Sequence, residues 1–358
     1  MRILQVTTTA TRRGAEVFAS QLGATLTDRG HLVTTVCLEP PGRQDSLDFE
    51  ALARGRTDPR SFASLVRRSR SSDVVVAHGG STLIPVALAS TVARRPFVYR
   101  NIGDPSYWGS VRGAGIRVGY PLRRAAQVVA LYQGAADYMV QRYRLDPARV
   151  TVASNAVDPS RFPPRTAQSR REARSVLGVD DNRILLGYLG NLSKEKRPGW
   201  ALDTVESIQG ATLIMGGTGP LSDELAHRAL ALGDRAGLPA CRLSGQVTDP
   251  GAFLSALDLL LLPSATEGIP AVLLEAALVG VPTLATDVGG VADVMASVGG
   301  TSVPVHDLHG FIEAARRITE DLPAHQPDRS AVLRDHGIEA VADRWQQVLI
   351  RTVAGHPV

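Results

Sequence analysis

Lysine is nearly absent from this chain of 358 residues. Of its 39 basic residues 37 are arginine, and the two lysines, Lys194 and Lys196, both fall in one stretch, GNLSKEKRPG, residues 190–199. An arginine- and alanine-rich composition explains why lysine is scarce but not why it survives there. Cysteine is scarce too. Cys37 and Cys241 lie far apart and without metal spacing, which excludes a disulfide framework or cysteine zinc site and fits a reducing cytoplasm. Aromatics make up 5% of the chain, with no aromatic-rich basic strand and no nucleic-acid motif, so nucleic acid is set aside as a partner. No run approaches the ~20 apolar residues needed to span a bilayer, and the opening MRILQV reads as a strand, not a signal-peptide core. Any membrane contact is therefore expected from the cytoplasmic surface. No hydrophobically flanked Asp-x-Asp occurs, so neither a metal nor a resident cofactor is expected.

What is present is unevenly charged. Residues 1–160 hold 21 arginines against 12 carboxylates, a balance of +9, while the remainder balances at −5. A basic first half points to an anionic partner, such as a lipid surface, a phosphorylated acceptor or a nucleotide, or simply to a solvated arginine surface.

Short apolar runs alternate with longer amphipathic stretches: RILQV (2–6), LVTTVCL (32–38), DVVVAH (73–78), PFVYR (96–100), QVVAL (127–131) and RVTVAS (149–154). A polar, proline-bearing linker at 158–175 interrupts them. A second series follows: ILLGYLG (184–190), ATLIMGG (211–217), CRLSG (241–245), LDLLLLPS (257–264) and PTLATD (282–287). This is the pattern of a doubly wound α/β architecture, with parallel sheets covered on both faces. It divides the chain into two Rossmann-like domains, 1–160 and 161–337. A terminal helix over 338–358 either ends the second domain or returns to the first. Ligands of such sheets bind at the carboxyl ends of strands, so the expected site is a central cleft faced by both domains.

The most informative segment is PSATEGIPAVLLEAALVGVPTLATDVGG, 263–290. Pro270 stands where a helix starts and Gly280 where it stops. A helix N-terminus offers unpaired N–H groups and partial positive charge to a phosphate. Glu267 just before it and Glu275 inside it suit polyol recognition, since carboxylates accept hydrogen bonds from sugar and ribose hydroxyls. The GGTGP at 216–220 lacks the full dinucleotide fingerprint and reads as a strand-end turn.

This segment resembles the retaining glycosyltransferases of family 4, whose fold is the two-domain GT-B architecture. Glu267, Gly268, Pro270, Glu275, Ala277, Gly280 and Pro282 stand in the places of that family's E-G-x-P-x-x-x-x-E and A-x-G-x-P pattern. Further matches run in order: TTTATRRGAEVF (7–18), with the usual Gly-Gly reduced to Arg13-Gly14; VASNAVDPSRF (152–162), with Ala156 for Gly; LIMGGTGPLSDEL (213–225); and LSGQVTD (243–249), near the donor base. Asp293 replaces a usual Glu.

The resemblance implies transfer of a hexosyl or N-acetylhexosaminyl group from a nucleoside-diphosphate sugar, UDP-sugar favoured. The acceptor is a hydroxyl on a small molecule, a glycan or a lipid-linked carrier. Gly14, Gly268, Ile269, Pro270 and Ala271 would meet phosphate or sugar, Glu275 the ribose and Glu267 the sugar hydroxyls. In the family an arginine and a lysine about five residues later hold the diphosphate. Here Lys196 keeps the lysine and Asn191 takes the arginine's place; Lys194 reads as a solvated neighbour and Arg197 as a substitute clamp of unknown direction. The family's histidine beside the transferred sugar is also missing, with Arg100 or Asn101 in its position. His78, at another strand end, reads first as structural and second as catalytic. Tyr107 and Trp108 fit a packed loop, a sugar platform or a membrane contact. Two other classes share the features: a sugar-nucleotide epimerase or hydrolase, and a catalytically silent sugar-nucleotide binder.

Overall fold

The computed structural model describes residues 1–12, 14–40, 46–53, 55, 58–106, 117–235 and 238–356. Arg13, Tyr107 and Trp108 lie outside them. The chain divides into two compact units, Met1–Ala156 with Gly337–Val358, and Val157–His336. The first unit gives way at Ala156, not at residue 160, because the next residues are already tied into the second. The Val157 N–H donates to the His336 carbonyl at 2.9 Å, and Arg329 donates to the Phe162 carbonyl at 3.0 Å.

In the first unit seven parallel strands form one sheet: β1 (Arg2–Thr7), β2 (Leu32–Cys37), β3 (Glu50–Ala51), β4 (Val74–His78), β5 (Phe97–Arg100), β6 (Gln127–Ala130) and β7 (Val150–Val152), in the order β3-β2-β1-β4-β5-β6-β7. The helices are α1 (Gly14–Asp28), α2 (Pro59–Arg70), α3 (Gly80–Ala93), α4 (Gly119–Arg124) and α5 (Gln133–Tyr143). Asp58 caps α2 by accepting from the Arg60 N–H, with Pro59 supplying the fixed φ of a first helical position.

The second unit carries α6 (Ala167–Leu177), β8 (Ile184–Leu189), α7 (Gly199–Ser207), β9 (Ala211–Gly216) and α8 (Ser222–Ala231). After these come an antiparallel pair, β10 (Asp234–Arg235) and β11 (Leu238–Pro239), and then β12 (Cys241–Gly245), α9 (Pro250–Ala256) and β13 (Leu259–Leu262). It ends with α10 (Ala271–Val279), β14 (Thr283–Asp287), α11 (Val291–Val298), β15 (Thr301–Pro304), α12 (Leu308–Glu320) and α13 (Arg329–His336). Its parallel sheet runs β12-β9-β8-β13-β14-β15.

The last helix, α14 (Ile338–Ala354), packs in the first unit. Val341, Ala342, Trp345, Val348 and Leu349 are fully buried with Ile3, Phe18, Leu22 and Leu26. Arg29, one residue past α1, fixes the helix start through ion pairs to Glu339 (2.6 Å) and Asp343 (2.7 Å).

Candidate functional site

Three loops at the carboxyl ends of β8, β13 and β14 in the second unit converge on Glu267. The loop after β8 is held from below. Buried Tyr188 donates its hydroxyl to the Asn191 carbonyl at 2.8 Å, and the Leu192 N–H donates to the Thr218 carbonyl at 3.0 Å. The chain then makes a single tight turn over Lys194–Lys196, closed by the Lys196 N–H on the Ser193 carbonyl at 3.0 Å. That turn is joined to the loop after β13 by the Ala265 N–H, which donates to the Glu195 carbonyl at 2.7 Å.

The consequence is an ion pair between Lys196 Nζ and Glu267 Oε2 at 2.8 Å, with the two side chains 26% and 9% exposed. Glu267 is oriented by a second contact, since the hydroxyl of fully buried Ser264 donates to its Oε1 at 2.7 Å. Thr286 of β14 in turn donates to the Ser264 carbonyl. An ammonium has three donors. One is spent on Glu267, which leaves two for an incoming anion.

The loop after β14 lies on the loop after β13. The Gly290 N–H donates to the Gly268 carbonyl at 2.9 Å. Gly289 has φ +58°, and a Cβ there would stand 2.0 Å from the Glu267 carbonyl oxygen. Only glycine permits that approach. Four residues past Glu267, α10 begins with Pro270 as its cap residue and no side-chain cap. Among the described residues the N–H groups of Gly268, Ala271 and Val272 have no protein acceptor. Ile269 is buried beside them. The arrangement is a short nest of donors with a lysine on one side, suited to a diphosphate.

Glu275 sits inside α10, half-buried. Desolvation pushes its carboxyl up to about 7, against a smaller opposing pull from Arg161. The folded chain thus holds a proton that the unfolded chain releases near pH 4.5. Stability is expected to fall as pH rises from about 4.5 to about 7 and then to level off. Thermal unfolding across pH 4–8 checks this, and Glu275→Gln is expected to remove that part of the slope.

Asn191 and Lys194 lie in the same loop after β8 as Lys196, and both side chains are exposed. Arg197 adopts φ +46°. Its guanidinium lies over the Trp200 ring, 5.1 Å from the centroid, and donates to the Val305 carbonyl, so it does not substitute for the missing arginine. Asp293 is exposed in the first turn of α11. A separate open cavity of about 660 Å³ takes in Ser244, Gln246, Val247 and Asp249, the stretch placed near the donor base by resemblance, together with Arg161.

In the first unit, Gly14 opens α1 and is exposed. Arg100, at the end of β5, is 1% exposed. Its guanidinium covers the Phe18 ring at 3.6 Å and donates to Asn155 Oδ1, with Nε and Nη1 unpartnered. Burial draws its pKa down to about 9, countered in part by Glu16. Asn101 is buried, with its N–H donating to the Val129 carbonyl at 2.9 Å. His78 is buried, its Nε2 2.9 Å from Gln5 Oε1 and its ring stacked at 23° on Trp345. Burial and the neighbouring Arg100 hold it well below the usual histidine range, so it packs as a neutral core residue.

Sequence reasoning missed Ser264, Tyr188 and Thr286, which hold the site together. A strand-end serine three residues before a glutamate is the one signal that points to them.

The model of the glycosyltransferase family 4 domain matches residues 12–161, and that of the glycosyl transferases group 1 domain matches residues 183–321. The chain belongs to glycosyltransferase family 4. Among curated relatives, an Escherichia coli UDP-Gal:α-D-GlcNAc-diphosphoundecaprenol α-1,3-galactosyltransferase is 22% identical over 74% of this chain and 71% of its own length. A Streptomyces fradiae 2-deoxystreptamine N-acetyl-D-glucosaminyltransferase is 30% identical over 60% and 52%. The match to a Mycobacterium marinum D-inositol 3-phosphate glycosyltransferase, 32% identical, takes in 50% of this chain and 39% of that protein. Among solved structures, HepE from Anabaena in complex with UDP-glucose superposes with a TM-score of 0.85 at 20% identity, over 98% of this chain and 99% of its own. Sucrose-phosphate synthase from Thermosynechococcus elongatus does so at 0.80 and 17% identity, over 99% of both chains. The fold of this family 4 member is therefore GT-B.

Proposed function

We propose that the protein transfers a sugar from a nucleoside diphosphate, with UDP favoured, to an acceptor hydroxyl with retention of anomeric configuration and without a metal. The observation that carries the reading is the Lys196–Glu267 pair, 2.8 Å apart, set just before the open N-terminus of α10. UDP-glucose in HepE and UDP-Gal in the E. coli relative's name support the choice of base.

In this scheme the bond between the anomeric carbon and the diphosphate oxygen breaks as the acceptor oxygen attacks from the same face. The leaving phosphate oxygen takes the acceptor proton. Charge then grows on the diphosphate, where Lys196 and the α10 N–H groups receive it. Glu267 anchors Lys196 and accepts a sugar hydroxyl, while Glu275 takes the ribose hydroxyls. With Arg100 and His78 buried in the first unit, neither is needed as a general base. Metal independence is part of the proposal and follows from the lack of a hydrophobically flanked Asp-x-Asp in the sequence.

The test is incubation with UDP-sugars and candidate acceptors, followed by NMR of the product. An α-linked donor is expected to give an α-linked product, with a rate unchanged by EDTA. A β-linked product would overturn retention. Loss of activity in EDTA, restored by a divalent cation, would overturn metal independence. UDP release that needs no acceptor would identify a hydrolase.

A further inference from the structure

Helix α3 has no charged residue from Gly80 to Ala93. A helix that is apolar all round is normally buried all round, yet Ile84, Leu88 and Val92 are 42%, 54% and 50% exposed. Their spacing of four puts them in one line, about 12 Å long, down a single face. Ser81 and Thr91 are exposed as well, so no charge interrupts the stripe. Ile102, also exposed, extends it at the N-terminal end, where its side chain covers Gly79.

Arginines gather at the other end. Arg94 caps α3, Arg95 donates to the Arg70 carbonyl at the end of α2 at 3.2 Å, and Arg124 of α4 donates to Thr91 Oγ1 at 3.3 Å. Arg67 and Arg70 are exposed in the last turn of α2. Helix α3 packs against both α2 and α4, and none of the three contains Asp or Glu. The nearby carboxylates are committed: Asp73 to Arg2, Glu50 to Arg68, Asp58 to the cap at the opposite end of α2, and Asp104, two residues past Ile102, to the Ser106 N–H and hydroxyl. Among the described residues Arg67, Arg70, Arg94, Arg95 and Arg124 have no ion-pair partner.

We infer that this face docks on an anionic lipid bilayer, with the α3 stripe entering the headgroup region and the five arginines meeting lipid phosphates. An apolar line rimmed by one sign of charge is the pattern of an interfacial helix, and each arginine near an anionic surface strengthens binding about fivefold. A second copy of the same face would bring arginine against arginine with no carboxylate to offset it. The inference does not rest on the transfer chemistry, and among the described residues no helix is long and apolar enough to cross a membrane.

Flotation of the full chain with vesicles tests it without any donor or acceptor. Binding is expected to vesicles of equal parts phosphatidylglycerol and phosphatidylcholine, not to phosphatidylcholine alone, and to be released by ~1 M salt. Leu88→Gln is expected to weaken partitioning about tenfold, and Arg94→Gln or Arg124→Gln about fivefold each. Because these side chains are exposed, melting temperature and UDP binding should stay unchanged in the same variants. Failure to float with anionic vesicles would overturn the inference, as would binding indifferent to both Leu88→Gln and Arg94→Gln. So would a dimer in light scattering that Leu88→Gln converts to monomer.

Discussion

Lys196→Met is expected to lower kcat by about 10²–10³-fold at saturating sugar nucleotide, the usual cost of removing one preorganised stabiliser of developing charge. Methionine keeps the length and apolar stem of the side chain and deletes only the ammonium. The single variant also leaves the Glu267 carboxylate, 9% exposed, facing an apolar neighbour. Part of any loss is therefore stability, because an uncompensated half of an ion pair is costly. The two effects separate in the pair Lys196→Met/Glu267→Gln. Glutamine retains an oxygen for the Ser264 hydroxyl, at present 2.7 Å from Glu267 Oε1, and carries no charge to strand. The double variant should melt near the wild-type temperature and remain slow. UDP release in the presence of acceptor, measured beside thermal unfolding, gives both numbers. Near wild-type turnover in either variant would remove Lys196 from the mechanism.

The candidate site around Glu267 was legible because its turn and helix signals are written in local spacing. Glu267, Pro270 and Gly280 mark a loop, a helix start and a helix stop within one stretch, and the structure places a cap residue at Pro270 and a left-handed C-cap at Gly280. The strands were legible for the same reason, as short apolar runs between turn residues. The missed strands are the two-residue edge strand Glu50–Ala51, the two-residue partners Asp234–Arg235 and Leu238–Pro239, and the outer strand Thr301–Pro304, each too short or too polar to show an apolar run.

What local spacing cannot reveal is which charged residue is buried. Arg100 looked able to face a substrate at a strand end, and instead it covers Phe18. That outcome depends on α1, which arrives from a distant part of the chain. The gap at Asn191 has the same character. The chain offers Arg197 only six residues later, but its left-handed backbone sends the guanidinium to Val305.

Arg174 carries this lesson furthest, and its replacement has the largest expected effect on stability. In the sequence it lies in SRREARS, inside the polar, proline-bearing linker at 158–175, where nothing singles it out. In the structure it is 1% exposed and ties together three parts of the second unit. Nε donates to the Ala256 carbonyl at the end of α9 at 2.9 Å. Nη1 is shared among the carbonyls of Asp180, Asp181 and Arg183 at 2.8–3.1 Å, and Nη2 pairs with Asp258 at 2.5 Å. Asp258 also accepts the Leu185 N–H at 2.8 Å as β8 begins. One planar fork thus supplies donors to the end of one helix, the approach to one strand and the carboxylate beside another. Arg174→Leu would remove all of these bonds, leaving Asp258 with Arg170 and the Leu185 N–H and the Asp181 carbonyl with Arg170. The expected loss is about 3–5 kcal/mol, the range for breaking a buried pair from one side. At roughly 2–4 °C per kcal/mol for a unit of this size, the melting temperature should fall by about 6–20 °C. Arg174→Lys should recover little, since a compact ammonium with three donors cannot span carbonyls that the guanidinium reaches with a rigid fork. Scanning calorimetry of the three proteins decides it, and a lysine variant as stable as the wild type would show that charge alone, not the fork, holds this corner of the unit.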